Sequence, residues 1–272
     1  MSELTELRQK IDAIDTELLR LLNERATVAK EIGVIKNKSS LPIYSPDREM
    51  KLLRSLVERS KGPLGTEAIH AIYREIMSAS IALEKDVAIA CLGPSGSPSH
   101  QSSLRKFGSS VRYTLLPSIA AVFEEVSANR ADCGVVPMED PEHGFLGATL
   151  DELAETDLSI CTEMDSEFAE GPRHIVIGRQ SNAPSGHDQT LVLLRLANKP
   201  GALVSALEPF RENQINLTHF ASRTSRDGKS ETLFFVQADG HKNDLEGSDL
   251  FQSLSQNCRA VKILGSYPIP QK

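Results

Sequence analysis

From Leu4 to about Asn37 the chain contains no proline and one glycine, Gly33, and its apolar residues recur at helical spacing. Ile11, Leu18 and Ile32 repeat in register with Ile14, Leu21, Val28 and Ile35, the pattern of a helix that buries one face. Arg25 belongs to the first of these rows, while Arg8 and Lys36 share a neighbouring row with Leu22 and Ala29. Cations on an apolar face are costly unless something anionic meets them. A single arginine there commonly snorkels at the edge of the stripe. Three basic residues together favour an anion site. At ~1.5 Å per residue, Arg25 and Lys36 lie about 16 Å apart along the axis, so both can converge on a small ligand. Arg8 lies about 25 Å from Arg25, too far to join the same site on a straight helix. A helix of roughly 50 Å also needs a companion along its length. The expectation is an intertwined helical homodimer whose sites mix residues of both chains.

Two further helices complete this module. Ser45 reads as an N-cap with Pro46 at the first helical position, so Arg48 and Glu49 fall in the first turns of a helix ending before Lys61-Gly62-Pro63. The next helix runs from about Thr66 to Lys85, with Ile69, Ile72, Tyr73, Ile76 and Ser80 on one face. Ser80 and Glu84 are four apart and therefore side by side, an arrangement that is often no more than a solvated edge.

Beyond residue 86 the pattern changes. Val87–Leu92 is a continuous apolar strand, followed by the loop Gly93-Pro94-Ser95-Gly96-Ser97-Pro98-Ser99-His100. A helix-like segment, a strand at 112–115, a helix at 119–128, Cys133–Pro137, the run 149–153 and a strand at 158–161 follow, which implies a small parallel or mixed α/β sheet. The Gly/Ser loop is either an anion site at a helix N-terminus or a plain turn. Ser181–Gly186 reads as a linker. Strands at 190–196, 217–223, 231–238 and 260–264, with helices at 202–213 and 249–256, give the order βαββαβ, which is ferredoxin-like.

Composition adds exclusions. The 272 residues carry 30 basic and 37 acidic side chains, a net charge of -7 that offers no general attraction to nucleic acid or to an anionic membrane. Cys91, Cys133, Cys161 and Cys258 lack metal-ligand spacing, and three of them lie in apolar strand-like runs as expected of buried thiols. No metal and no cofactor is expected. Met1–Glu6 is no signal peptide and no apolar run reaches membrane length, so a cytoplasmic enzyme is expected.

Residues 1–86 resemble the helical chorismate mutase domain of bifunctional chorismate mutase–prephenate dehydratases. The matching segments are Leu7–Asp12, Leu22–Arg25, Gly33–Lys36, the Arg48-Glu49 pair, and Ile76–Ser80 through Glu84. The resemblance implies a pericyclic rearrangement of chorismate to prephenate, in which the enzyme holds a compact reactive conformer and stabilises charge on the breaking ether oxygen. It assigns Arg25 and the partner's Arg8 to the substrate carboxylates, with guanidinium forks suited to bidentate contacts. Lys36 serves a carboxylate and the ether oxygen, and Glu49 accepts from the substrate hydroxyl with Arg48 and Ser80 beside it. Glu84 faces the ether oxygen, where a carboxyl group donates only when protonated.

Residues 87–180 resemble the first lobe of a prephenate dehydratase, a periplasmic-binding-protein-like α/β lobe, through Leu92-Gly93-Pro94 with Ser99-His100, Ala131–Glu139, and Gly144 through Leu153. After Met164 the chain passes almost directly to Gly171-Pro172-Arg173-His174, where the family inserts a second lobe and returns through a Thr-Arg-Phe strand. One lobe cannot enclose a cleft, so the expectation is that dehydratase activity is lost. Residues 188–272 resemble the ACT regulatory domain, through Asn198–Leu203, Ile215–Thr218 and Leu264–Pro268. Gly201, Ala202, Leu203, Asn216, Leu217 and Ser222 are thereby implied to bind phenylalanine or tyrosine as effector. Two alternatives stand beside a regulated chorismate mutase: a working bifunctional enzyme, and a non-catalytic aromatic amino acid sensor.

Overall fold

The computed structural model describes residues 3–38, 46–142, 144–164, 171–224, 231–246 and 249–269. The chain divides into two compact units: residues 1–44, 53–87 and 104–112 form one, and residues 45–52, 88–103 and 113–272 the other.

The first unit is built on α1 (Glu3–Lys38), a single unbroken helix of 36 residues. On its solvent face Arg20 pairs with Glu17 at 2.7 Å and Glu24 at 2.9 Å, i,i+3 and i,i+4 contacts each worth a few tenths of a kcal/mol. Helices α2 (Pro46–Arg59) and α3 (Thr66–Glu84) follow. The expected cap Ser45 lies outside the described residues. The expectation that the α1 stripe is buried does not hold within one chain: Ile11, Ile14, Leu18, Leu21, Val28 and Ile35 are exposed, whereas Ala29 is buried. Length is one reason, although Val28 and Ile35 are exposed even within the Arg25–Lys36 stretch that α3 contacts. Helix α3, at 19 residues, spans about 28 Å against about 54 Å for α1. A turn at residues 108–110 is clasped to α3. The Glu75 carboxylate accepts from Ser109 N at 3.0 Å and Ser109 Oγ at 2.7 Å, and Ser78 Oγ accepts from Ser110 N at 3.0 Å. The Ser109 amide, foremost among these donors, holds the Glu75 carboxyl below its usual range.

The second unit is layered. Strands β1 (Ala88–Leu92), β2 (Arg112–Leu116), β3 (Cys133–Asp140), β4 (Gly144–Phe145), β5 (Ser159–Met164) and β6 (Arg173–Gly178) form a six-stranded mixed sheet in the order β2-β1-β3-β6-β5, with β4 on β3. The β1–β3 pair is parallel, and β6 runs antiparallel to both β3 and β5. Helices α4 (Pro98–Phe107), α5 (Ile119–Ser127) and α6 (Gly147–Glu155) join these strands, and α5 is capped by Ser118 Oγ, which accepts from Ala121 N. Strands β7 (Asp188–Ala197), β8 (Leu217–Thr224), β9 (Glu231–Asp239) and β10 (Ala260–Pro268) form a wholly antiparallel sheet in the order β10-β7-β9-β8, with α7 (Ala202–Glu212), α8 (Lys242–Glu246) and α9 (Leu250–Asn257). This is the expected ferredoxin-like order with one short extra helix, α8. Its four-strand sheet packs α7 and α9 on one face through Val192, Leu194, Val236, Phe210 and Leu254. The other face meets the α/β lobe in one shared core that includes Leu191, Phe235 and Tyr267 with Val136, Leu150 and Ile160. Alternate residues of β7 therefore serve two different layers, which is why the strand reads as a continuous apolar run.

Residues 181–186, expected as a linker, are tied down. Asp188 accepts from Ser185 N at 2.7 Å, Gly186 N at 3.1 Å and Ser185 Oγ at 2.8 Å, and Asn182 Nδ2 donates to the carbonyls of Cys161 and Ser266. A linker joining two sheets that share a core has no freedom to wander.

Candidate functional site

Helices α1 and α3 bring four of the expected residues together in two pairs. The Arg25 guanidinium donates to Ser80 Oγ, and that hydroxyl in turn donates to Ile76 O at 2.8 Å. Lys36 Nζ donates to Glu84 Oε2 at 2.9 Å, with only 19% of the lysine side chain and 9% of the glutamate side chain exposed. Ser80 and Glu84 are thus not a solvated edge. Each sits under a cation from α1. The Arg25 contact is to a neutral hydroxyl, which does not itself offset the guanidinium charge, while the Lys36 contact is an ion pair. A small anion entering here would find a planar fork at one end and an ammonium at the other.

The remaining expected residues are placed differently. Arg8 is exposed, and the continuity of α1 keeps it about 25 Å from Arg25. Arg48 and Glu49 stand in the first turn of α2, the former exposed and the latter half-buried, in a stretch that groups with the second unit. Glu84, expected to face a substrate as a donor, acts here as an acceptor from Lys36.

In the lobe, several amides of the loop after β1 are engaged by the loop itself or by β2. Gly93 N donates to Leu116 O, Ser97 N to Pro94 O, Gly96 N to His100 Nδ1 and His100 N to Ser97 Oγ. Gly93 and Gly96 have φ of +89° and +82°, which suits glycine. Four amides of residues 93–100 are thereby engaged, which favours the turn among the two expected readings. Sequence reasoning gave His174 no role, yet it is buried with Nε2 3.0 Å from Ser99 Oγ and Nδ1 3.3 Å from Ser102 Oγ. Desolvation pulls it down to about 4, so the ring is neutral near pH 7. Beside it, Arg173 is held between Glu139 and Glu163.

In the ferredoxin-like sheet, Gly201 starts α7 with φ +80°, a left-handed cap that needs glycine. Asn216 Nδ2 donates to Asp239 at 2.9 Å. A register shift between Leu217 and His219 turns Leu217 to the helix-covered face, where Ser222 pairs with Phe234, while His219, Ala221 and Arg223 face the lobe. Leu217 and Ser222 therefore lie on the α7 side of the sheet, whereas the Asn216 side chain reaches Asp239, which also accepts from Gln189 on the lobe-facing side. Arg223 does something else. It forks onto the buried Asp151 of α6 at 2.7 and 3.2 Å and lies over Gly147, whose missing side chain makes room for it. From β10, Lys262 Nζ caps the end of α6 by donating to the carbonyls of Leu153, Ala154 and Thr156.

Taken with the fold, these features define a multidomain protein, with a three-helix region ahead of an α/β lobe and a ferredoxin-like sheet. Residues 7–85 match the family chorismate mutase type II, residues 89–169 prephenate dehydratase, and residues 190–247 the ACT domain. A bifunctional chorismate mutase/prephenate dehydratase of Aquifex aeolicus is 33% identical over 98% of each chain. The chain belongs to the bifunctional chorismate mutase/prephenate dehydratase family of phenylalanine biosynthesis. Among solved structures, a prephenate dehydratase of Streptococcus mutans is 27% identical with a TM-score of 0.58, over 66% of this chain and 97% of its own. One from Arthrobacter aurescens, solved in complex with L-Phe, shares the fold at 20% identity and a TM-score of 0.60, over 67% of this chain and 90% of its own. Both catalytic domains are represented, so the expectation that dehydratase activity is lost finds no support in these matches. No helix among the described residues is long and apolar enough to cross a membrane.

Proposed function

We propose that the helical unit is a chorismate mutase whose site is formed by Arg25, Lys36, Ser80 and Glu84, with Arg8 supplied by a second copy. The observation that carries the reading is the pair of buried-side contacts Arg25–Ser80 and Lys36–Glu84, cations set opposite polar groups on an apolar helix face. Chorismate is a dianion. Arg25 and the partner's Arg8 hold its carboxylates, and Lys36 turns from Glu84 toward the ether oxygen as charge develops there. No nucleophile or proton shuttle enters a concerted rearrangement, and holding the reactive conformer supplies the remainder. The exposed α1 stripe supports the homodimer, since a patch of this extent marks an interaction surface. Loss of chorismate and appearance of prephenate, compared between wild type and Arg25→Ala, test the assignment.

The second reading, a working bifunctional enzyme, is favoured by the matches to both domains. Two observations bear on the extent of the dehydratase region. The alignment with the Aquifex protein spans 356 positions, yet 98% of 272 residues is only about 267, so roughly 90 positions face no residue of this chain. Only the short stretch 165–172 separates β5 from β6, its antiparallel neighbour. Phenylpyruvate formed from added prephenate tests the second reading. For regulation we propose phenylalanine as effector, bound on the α7 side of the ACT sheet. The L-Phe complex of the Arthrobacter dehydratase supports this choice.

A further inference from the structure

Gly33 lies on α1 between Arg25 and Lys36. Glycine is a poor choice for a helix interior, where alanine gains both propensity and a less flexible unfolded chain. Its presence is explained by what crosses it. A Cβ on Gly33 would stand 2.8 Å from Glu84 Cα, 2.9 Å from Glu84 Cβ and 3.0 Å from Glu84 Cγ. Carbon atoms pack at about 3.5–4.0 Å, and a Cα cannot swing aside as the end of a side chain can. Relief of the clash therefore requires α3 itself to retreat by about 0.7 Å or more.

We infer that Gly33 is a positioning residue of the mutase site: its missing side chain lets the end of α3 approach α1 closely enough for Glu84 to meet Lys36. Lys36 is three residues further along α1, on a neighbouring part of the same face, and its Nζ reaches Glu84 at 2.9 Å. A retreat of α3 opens that contact and shifts the carboxyl group away from the place where the ether oxygen is held. The inference rests on the mutase reading above. It makes Gly33→Ala a substitution that strengthens the isolated helix and weakens the enzyme.

The test compares wild type, Gly33→Ala, Glu84→Ala and the double variant, with chorismate turnover, far-UV circular dichroism and thermal melting. Gly33→Ala is expected to keep or raise helix content and to change KM little, while kcat falls roughly tenfold or more, as sub-ångström to ångström misplacement implies. In the Glu84→Ala background the same substitution costs little further, because no carboxyl group remains to misplace. Multiplicative losses, or wild-type kcat in Gly33→Ala, overturn the inference. If Gly33→Ala does not melt cooperatively, Glu84→Asp retracts the carboxyl by one methylene with the crossing untouched. A comparable fall in kcat supports the positioning role, and full activity overturns it. The Glu84 carboxyl resonance, compared with and without Lys36→Met, gives a readout independent of turnover. Its sensitivity to Lys36 is present in wild type and absent in Gly33→Ala if the inference holds, and unchanged by Gly33→Ala if it fails. A wild type inert toward chorismate that retains this signature overturns the mutase reading and leaves the positioning role standing.

Discussion

His174 gives the second unit a built-in acid sensitivity whose size follows from its burial. The ring is 3% exposed, lies between the hydroxyls of Ser99 and Ser102, and is pulled from 6.5 to about 4 by desolvation, opposed only by a hydrogen bond to Pro172. A histidine with a depressed folded-state value binds its proton more readily when unfolded. Its contribution is therefore complete above about pH 6.5 and is lost as pH falls toward 4. Between pH 7.5 and 5 the loss is about 2 kcal/mol, rising to about 3 kcal/mol at pH 4. His174→Phe removes the titrating group and strands the Ser99 hydroxyl, which is itself buried, at a cost of about 1–3 kcal/mol at pH 7.5. Urea unfolding of both proteins at pH 7.5, 6 and 5, followed by far-UV circular dichroism, separates the two effects. The variant is expected to be less stable at pH 7.5 and to lose about 2 kcal/mol less than wild type on going to pH 5. Parallel pH dependences in the two proteins would refute the reasoning.

Three further outcomes follow. Arg8→Ala and Arg25→Ala chains are each nearly inactive alone, but mixed dimers regain one intact site, and proven heterodimers with no recovery contradict the shared-site proposal. Glu84→Ala, which removes the carboxyl group opposite Lys36, lowers mutase turnover at least roughly tenfold; unchanged turnover excludes a role for that group. L-Phenylalanine binds by calorimetry and changes mutase activity modestly, and Arg223→Lys, which loses the fork onto Asp151, weakens the change more than the binding. An equal change in both proteins removes Arg223 from the coupling.

Much of the architecture was legible because each layer has its own periodicity. The 3.6-residue repeat of α1 and the βαββαβ order of the last domain required no tertiary information. The cations of the candidate site were legible for the opposite reason, as violations of the pattern. What sequence could not give was partnership. Glu84 reads as an ordinary end-of-helix acid until Lys36 is seen opposite it, Gly33 reads as a blemish until α3 is laid across it, and His174 reads as a polar break in an apolar strand until Ser99 and Ser102 surround it. The stripe on α1 was read as buried, and within one chain it is not, because periodicity reports that a face is apolar without naming what covers it. The turn character of residues 93–100 likewise depended on where the amides point.

The central claim is that Arg25 and Lys36 make this helical unit a chorismate mutase. Its most direct test is the initial rate of chorismate conversion by purified wild-type protein beside Arg25→Ala and Lys36→Ala, with products identified. Prephenate formation by wild type, reduced roughly 100-fold or more in each variant with the fold intact, is the predicted result. Wild-type protein that leaves chorismate unchanged, or variants that convert it at the wild-type rate, would contradict the account.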